Sequence, residues 1–411
     1  MTATNMLNNG SDPVDSTNRR KLTPWTFPAE TKCIPEDQYT DLEVIDLADF
    51  REYEQEIPLT PEQTEAQNDL IRRVRTALHT VGFIAVKGHG LTSEDIQHQA
   101  DIGRLLNYDV AEEEKHRLHA RIAQEGSWAG YKPRGYYRRP DGAYDNIQHY
   151  DVYPFTALKS RLPEVAQPYV TDIRKFMEYN HYTILRKLLA IISLGLGLER
   201  ETLWRLHHRE EGNDSGFVES SEGEIEWRHS KDHLRNAVYH PLSVEDREKR
   251  KGISIYGHTD IGSVSFLYSQ PIAGLQLLTP NGEWRYIRHY PNHIIVDLGD
   301  SMEFLTGGVL KASPHRVTVP PADQEHLDRL GIFYFVPFLP EVELSLLDHP
   351  SLHQLGGKDV FEEYYQLGGK PITSNEWLVM KSKLVGTKRV KREKREAIDV
   401  LEDIHFRYNP A

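Results

Sequence analysis

The chain has 411 residues, 38% of them hydrophobic, and a formal net charge of −13. That apolar content fills a sizeable core and excludes a chain disordered throughout, while the acidic balance disfavours broad nucleic-acid or anionic-membrane binding. The single cysteine, Cys33, excludes an intramolecular disulfide and a cysteine-based zinc site, and fits a reducing, cytoplasmic setting.

Residues 1–40 are polar and rich in Asn, Ser, Thr and Pro, and read as a mobile tail or a strap over the surface. They lack the apolar core of a secretory signal. "LEVIDLADF" (42–50) alternates as a short strand. "TPEQTEAQNDLIRRVRTALHTVG" opens on a Thr-Pro start signal and carries Leu70, Ile71, Val74 and Leu78 at helical spacing. "FIAVKGHG" (83–90) reads as a strand closed by a glycine turn, and "LTSEDIQHQADIGRLLN" as a capped helix. The Tyr-, Arg- and Gly-rich stretch "GYKPRGYYRRPDGAYDNIQHY" (130–150) is a long aromatic loop of the kind that carries function.

Residues 169–198 predict one long amphipathic helix, whose "LLAIISLGLGL" end is too short for the roughly 20 apolar residues of a membrane span. The acidic, Gly/Ser-rich stretch 209–233 reads as a loop or insertion. Short apolar runs between turn signals then predict about seven strands over 234–338, a sandwich or barrel. The C-terminal part is helical, and its run "KRVKREKRE" (388–396), interleaved with Glu, reads as a solvated helix face rather than a targeting signal.

The chemistry centres on "YGHTDIGSVSF". On a strand, residues two apart point to one side, so His258 and Asp260 can reach a single ion. A second histidine, His315 in "KASPHRVTV", starts another predicted strand. Two His and one carboxylate on a sheet make a facial triad that leaves metal positions open. Zinc accepts the same three ligands, and the set alone does not separate the two metals.

Several motifs, in order, resemble the 2-oxoglutarate/Fe(II)-dependent dioxygenases of the isopenicillin N synthase-like type. "VGFIAVKGHGL" is similar to that family's "GFF…NHG" strand, and "AEEEKHRL" to its "P-x-E-x-K" segment. "GHTDIGSVSFLYSQPIAGLQLL" resembles "HTDxGxxTxLxQ…GLQV", and "VDLGDSMEFLTGGVLKASPHRVTVP" resembles "vNiGDxxqxxTNGxxkSxxHRVv". The likeness runs from about 42 to 340, and the block from His258 to Val319 is its specific part.

The resemblance implies a mainly β fold, a distorted double-stranded β-helix (jelly roll) with an N-terminal α/β region and C-terminal helices. Together with the composition read along the chain, it gives a tail (1–40), an N-terminal region (41–168), a helix with the catalytic jelly roll (169–340) and a helical extension (341–411). It implies Fe(II) on His258, Asp260 and His315, with 2-oxoglutarate and O₂ as co-substrates. Arg329 then matches the family's Arg-x-Ser, holding the far carboxylate through paired hydrogen bonds.

Gly331 departs from that pattern, since the assisting hydroxyl is missing; Tyr239 or His240 in "LRNAVYHPL" is a candidate substitute. Arg316, next to His315, points to the opposite face and reads as structural. Asp297, where the family usually has Asn, is expected to be buried near the barrel and hydrogen-bonded. The implied reaction oxidises an unactivated C–H bond of a small molecule, by hydroxylation, desaturation or ring formation, as in secondary metabolism. Tyr131, Arg134 and Tyr136 are the candidate substrate residues, with Tyr137 beside them and Asn146 and Tyr150 as weaker ones. Three alternatives stand beside this reading. Gly331 motivates an Fe(II) oxidase that does not use 2-oxoglutarate as a simple co-substrate. The others are a non-catalytic metal- or ligand-binding barrel and a nucleic-acid demethylase, the last disfavoured by the net charge. Neither nucleic acid nor membrane is an expected partner, and oligomeric state is unreadable.

Overall fold

The structure, a computed structural model, describes residues 20–51, 58–137, 142, 144–153, 162–208, 217–219, 225–227, 231–384 and 395–406. The first long helix, Pro61–Thr80, begins as its sequence dictates. Thr60 accepts from the Gln63 amide, Gln63 accepts in return from the Thr60 amide, and Pro61 occupies the first turn. It stops before Gly82, whose φ of +73° and 2.5 Å clearance from the Lys311 carbonyl oxygen leave no room for a Cβ. The helix Ser93–Tyr108 repeats the cap with Thr92 and Asp95.

Eight strands form between 233 and 336, where about seven are expected. They belong to two sheets. The smaller runs β1 (Tyr39–Thr40), β12 (Trp284–Ile287), β11 (Leu275–Leu278), β14 (His315–Thr318), β9 (Ile253–His258). The larger runs β2 (Glu43–Asp46), β3 (Phe83–Lys87), β13 (Ile294–Leu298), β10 (Val264–Tyr268), β15 (Arg329–Val336), β8 (His233–Tyr239), β5 (Ile147–Val152), β4 (Gly130–Lys132). The fold is the jelly roll that the resemblance implies, with helices packed on the larger sheet. A hairpin of β6 (Phe217–Glu219) and β7 (Ile225–Trp227) occupies part of the acidic stretch, most of which lies outside the described residues.

Strand β8 shows how the sheet separates core from cavity. Leu234, Asn236 and Val238 point to the helix Ser93–Tyr108, where Gly103 comes so close that a Cβ would sit 2.8 Å from the Asn236 side-chain oxygen. Asn107 of that helix donates to the Asn236 carbonyl at 3.0 Å. The alternate residues, His233, Arg235, Ala237 and Tyr239, turn to the cavity between the sheets.

Two expectations change. The single helix over 169–198 is helical almost throughout, but Tyr179–Leu185 forms a π-helical turn between Val170–Glu178 and Arg186–Gly195. There Asn180 accepts from the Tyr268 hydroxyl at 2.8 Å and His181 meets Asp232 at 2.8 Å. Second, of the two readings for 1–40, a tail or a strap, 20–40 takes the strap, and 1–19 lie outside the described residues. The Trp25 amide donates to Asp101 at 2.8 Å, Thr31 donates to Asp323 at 2.7 Å, and β1 pairs in parallel with β12. The C-terminal helices Ser374–Leu384 and Ala397–Phe406 are present, whereas 388–394 of the basic run lie outside the described residues. No helix among the described residues is long and apolar enough to cross a membrane.

Candidate metal and co-substrate site

His315 and His258 are register partners on β14 and β9, so their rings meet, with centroids 4.4 Å apart. Asp260 follows in the loop that leaves β9. Its Oδ1 lies 3.8 Å from His258 Nε2 and 3.6 Å from His315 Nε2, and one donor atom from each residue falls within 4.8 Å of the others. Each ring places Nδ1 against a backbone carbonyl two residues earlier, Tyr256 O at 2.8 Å and Ser313 O at 3.3 Å. Those contacts select the tautomer with Nδ1–H donating, which leaves the Nε2 lone pair for an ion. Asp260 Oδ2 accepts from the Ser265 hydroxyl. The three side chains therefore fit a divalent cation with supported outer atoms.

Charges around the cluster follow from burial. Burial and the neighbouring His315 push His258 down to about 4. Burial alone would raise the Asp260 carboxyl, but His315 and His258 hold it below its usual value. Asp297, register partner of Ser265, is raised well above the carboxylate range by burial and then by the charge of Asp260, to which it hydrogen-bonds.

The cavity of about 360 Å³ beside the cluster reaches Arg329 at the start of β15. Arg329 is buried, its Nε donates to the Ile272 carbonyl at 3.3 Å, and its guanidinium carbon stands 4.9 Å from the Tyr239 ring. Tyr239 is its register partner and hydrogen-bonds to it. Its Nη1 has no partner, and no ion pair holds it among the described residues. Burial accordingly pulls the guanidinium below its ordinary value. A buried fork lacking a carboxylate fits one end of a dicarboxylate.

Gly331 sits two residues along the same face. A Cβ there would come within 2.6 Å of Phe333 Cε2 and 3.0 Å of its Cζ. The Phe333 ring fills the space a serine side chain would take. Gly331→Ser is expected to cost about 1–3 kcal/mol from overpacking. The double change Gly331→Ser with Phe333→Leu recovers most of that loss. Urea unfolding of the three variants checks it, and additive costs would refute the contact.

The structure separates the other candidates. Tyr137 lines the cavity, whereas Tyr131, Arg134 and Tyr136 do not. On β4 the side chains alternate, so Lys132 faces the cavity and Tyr131 turns to the core, its hydroxyl donating to Gln148 at 3.2 Å. Arg134 is exposed beyond the strand end, and Tyr136 packs edge-on against Tyr137 at 4.8 Å. Tyr150 is likewise the core-side neighbour of His149. Asn146 is tied to the His240 carbonyl at 2.7 Å, and the His240 ring meets Asp328 at 2.8 Å. Arg316 points away from the cavity, its guanidinium carbon 4.3 Å from the Trp284 ring.

Sequence reasoning missed the cavity wall built by Lys132, His149, His233, Arg235, Phe333 and Phe335. The signal that finds it is alternation from Arg329 along "RLGIFYF" and across to "HLRNAVY". It also missed Lys381, which donates to the Thr259 carbonyl at 3.0 Å and pairs with buried Asp300, bracing the turn between His258 and Asp260.

His149, His207 and His233 are buried, and burial first of all pushes each down to about 4. In the unfolded chain histidine titrates near 6.5, so on acidification the unfolded state takes up protons first. Their neutral forms contribute fully above about pH 6.5, and that stability is lost as pH falls toward 4, by up to about 1.4 kcal/mol per pH unit for each. Thermal unfolding should show Tm falling steeply over this window, and a flat Tm would contradict the assignment.

The chain is similar to known proteins. The family model of the 2OG-Fe(II) oxygenase superfamily matches residues 231–336, and that of the N-terminal region of non-haem dioxygenases in morphine synthesis matches 42–176. UPF0676 protein C1494.01 of Schizosaccharomyces pombe is 24% identical over 326 residues, 76% of this chain and 88% of its own. Flavonol synthase/flavanone 3-hydroxylase of Petunia hybrida is 23% identical over 267 residues, 64% of this chain and 69% of its own. The crystal structure of a full-length Neurospora crassa protein in complex with alpha-KG and thymine superposes with a TM-score of 0.64 at 18% identity, covering 86% of this chain and 99% of that one, a likeness of fold.

Proposed function

Since the chain belongs to the 2-oxoglutarate/Fe(II)-dependent dioxygenases, oxidoreductases that use Fe(II), 2-oxoglutarate and O₂, we propose that it oxidises an unactivated C–H bond of a small molecule in the cavity between its sheets. The observation that carries the reading is that one cavity holds both the His258–Asp260–His315 cluster and Arg329, a buried guanidinium with no carboxylate partner among the described residues. Fe(II), when bound, supplies the activation of O₂ that is coupled to decarboxylation of 2-oxoglutarate.

The chain's own residues do the rest. His258, Asp260 and His315 offer three donors on one side of the ion and leave the other side open. Ser265 and the two backbone carbonyls orient those donors. Arg329 and Tyr239 receive the far carboxylate of 2-oxoglutarate and fix its direction in the cavity. The apolar wall formed by Leu267, Ile295, Val317 and Phe333 keeps water from the reacting centre. Hydroxylation, desaturation and ring formation differ in where the substrate is held, which this wall decides. The S. pombe relative and the Petunia enzyme align over most of their length, and a place in secondary metabolism fits the latter.

The test is direct. Protein given Fe(II), 2-oxoglutarate and O₂ should form succinate slowly without substrate. A panel of small molecules, read by mass, should then yield a product at +16 or −2 with faster succinate release. Fe(II)-loaded protein that forms no succinate above a protein-free control would overturn the reading.

A further inference from the structure

The cavity has two cationic ends, and they differ in charge balance. The cavity faces of β5, β8 and β15 form a grid set by register. Ile147, Tyr239 and Arg329 share one row, His149, Ala237 and Gly331 the next, and Asp151, Arg235 and Phe333 the third. The first and third rows are four residues apart along β8, about 13 Å at 3.3–3.4 Å per residue. In the middle row Ala237 leaves room in the wall between the ends, while the space at Gly331 is taken by the Phe333 ring.

At the first end Arg329 is buried and lacks a carboxylate. At the other, Arg235 is already held by Asp151, with Nε at 2.9 Å from Oδ1 and Nη2 at 2.7 Å from Oδ2. Lys132 donates to Asp145 and to the Ile147 carbonyl at 2.6 Å. Two cations face two carboxylates there, so no surplus positive charge remains. Buried His149 and His233 add none at neutral pH. An anion entering this end would lose its hydration without a free counter-charge.

Neutral acceptors are served instead. Arg235 Nη1 makes no hydrogen bond among the described residues, since all three bonds of the side chain use Nε and Nη2. The Tyr137 hydroxyl is buried without a partner. The walls beside these two donors are flat. Phe333 and Phe335 lie parallel, 5° apart in plane with centroids at 5.6 Å, and the Arg235 guanidinium carbon stands 4.9 Å from both Trp128 and Phe335.

Resting on the dioxygenase reading above, we propose that the substrate is an uncharged, planar, aromatic or conjugated molecule. Its carbonyl or phenolic oxygen accepts from Arg235 and Tyr137 while its ring lies against Phe333 and Phe335. The cavity of about 360 Å³ would have to take 2-oxoglutarate as well, so the substrate is a small molecule.

The experiment is calorimetric binding to the anaerobic Fe(II)–2-oxoglutarate protein. The probes are 2-pyridone, coumarin and 4-quinolone, each beside its ring carboxylic acid. Neutral members should bind at least tenfold tighter than their acids. Tyr137→Phe, which keeps the ring, and Arg235→Lys, which keeps the charge opposite Asp151, should each weaken the neutral probes about tenfold, with Kd for 2-oxoglutarate unchanged. Tighter binding of the acids, no binding of any neutral probe, or neutral-probe affinities unmoved in both variants would overturn the proposal. Failure of the protein to bind 2-oxoglutarate at all would instead strike the dioxygenase reading on which it rests.

Discussion

Asp260→Ala should abolish O₂-dependent succinate formation and weaken Fe(II) binding by more than about 100-fold, because losing even an outer-shell partner of a ligand typically costs 10–100-fold. The size follows from the cluster. Asp260 Oδ1 stands between both Nε2 atoms, at 3.8 and 3.6 Å, and is the single carboxylate among the three donors. Without it, two neutral imidazoles face a dication. Ser265→Ala removes only the hydroxyl that donates to Oδ2 and should fall between wild type and Asp260→Ala. Fe(II) titration under anaerobic conditions and a succinate assay measure both effects. Wild-type iron affinity in Asp260→Ala would remove this cluster from consideration.

Lys381→Met should lower stability by about 3–5 kcal/mol, the range for removing one partner of a buried ion pair. Lys381 and Asp300 are both buried. The Asp300 amide also donates to the Asp260 carbonyl at 2.8 Å, and Lys381 reaches the Thr259 carbonyl and hydroxyl at 3.0 and 3.1 Å. Losing the cation thus leaves a carboxylate without its charge partner directly beneath the metal-binding turn, so iron affinity should drop along with stability. Lys381→Met combined with Asp300→Asn should recover part of both, since the second change removes the stranded charge. Urea unfolding reads the first quantity and Fe(II) titration the second. A loss below about 1 kcal/mol would show that the pair does not brace the site.

These cases mark what the residues disclosed by themselves. His258 and Asp260 were legible as a pair from their two-residue spacing, although Asp260 lies in the loop beyond β9 and not on the strand itself, and His315 because it opens another predicted strand, which pairs with β9. Arg329 was legible from the family pattern. The substrate wall was harder. The loop at 130–150 drew attention to its tyrosines, yet on a strand a shift of one residue reverses the face, so Lys132 points inward and Tyr131 does not. Lys381 lay beyond sequence reasoning, since its partners Asp300 and Thr259 are 81 and 122 residues away. Gly331 read as a missing hydroxyl, and only packing shows that Phe333 occupies its space.

The alternation along β8 bears on how such a protein can be re-purposed. Leu234, Asn236 and Val238 hold the sheet to the helix Ser93–Tyr108, while His233, Arg235 and Ala237 between them meet the cavity. Phe333 and Phe335 interleave with core positions on β15 in the same way. A combinatorial library confined to these five odd-numbered positions would vary molecular selectivity while leaving every helix-facing residue intact. Natural drift has the same freedom, so one scaffold can supply many chemistries by exchanging every second side chain on two adjacent strands.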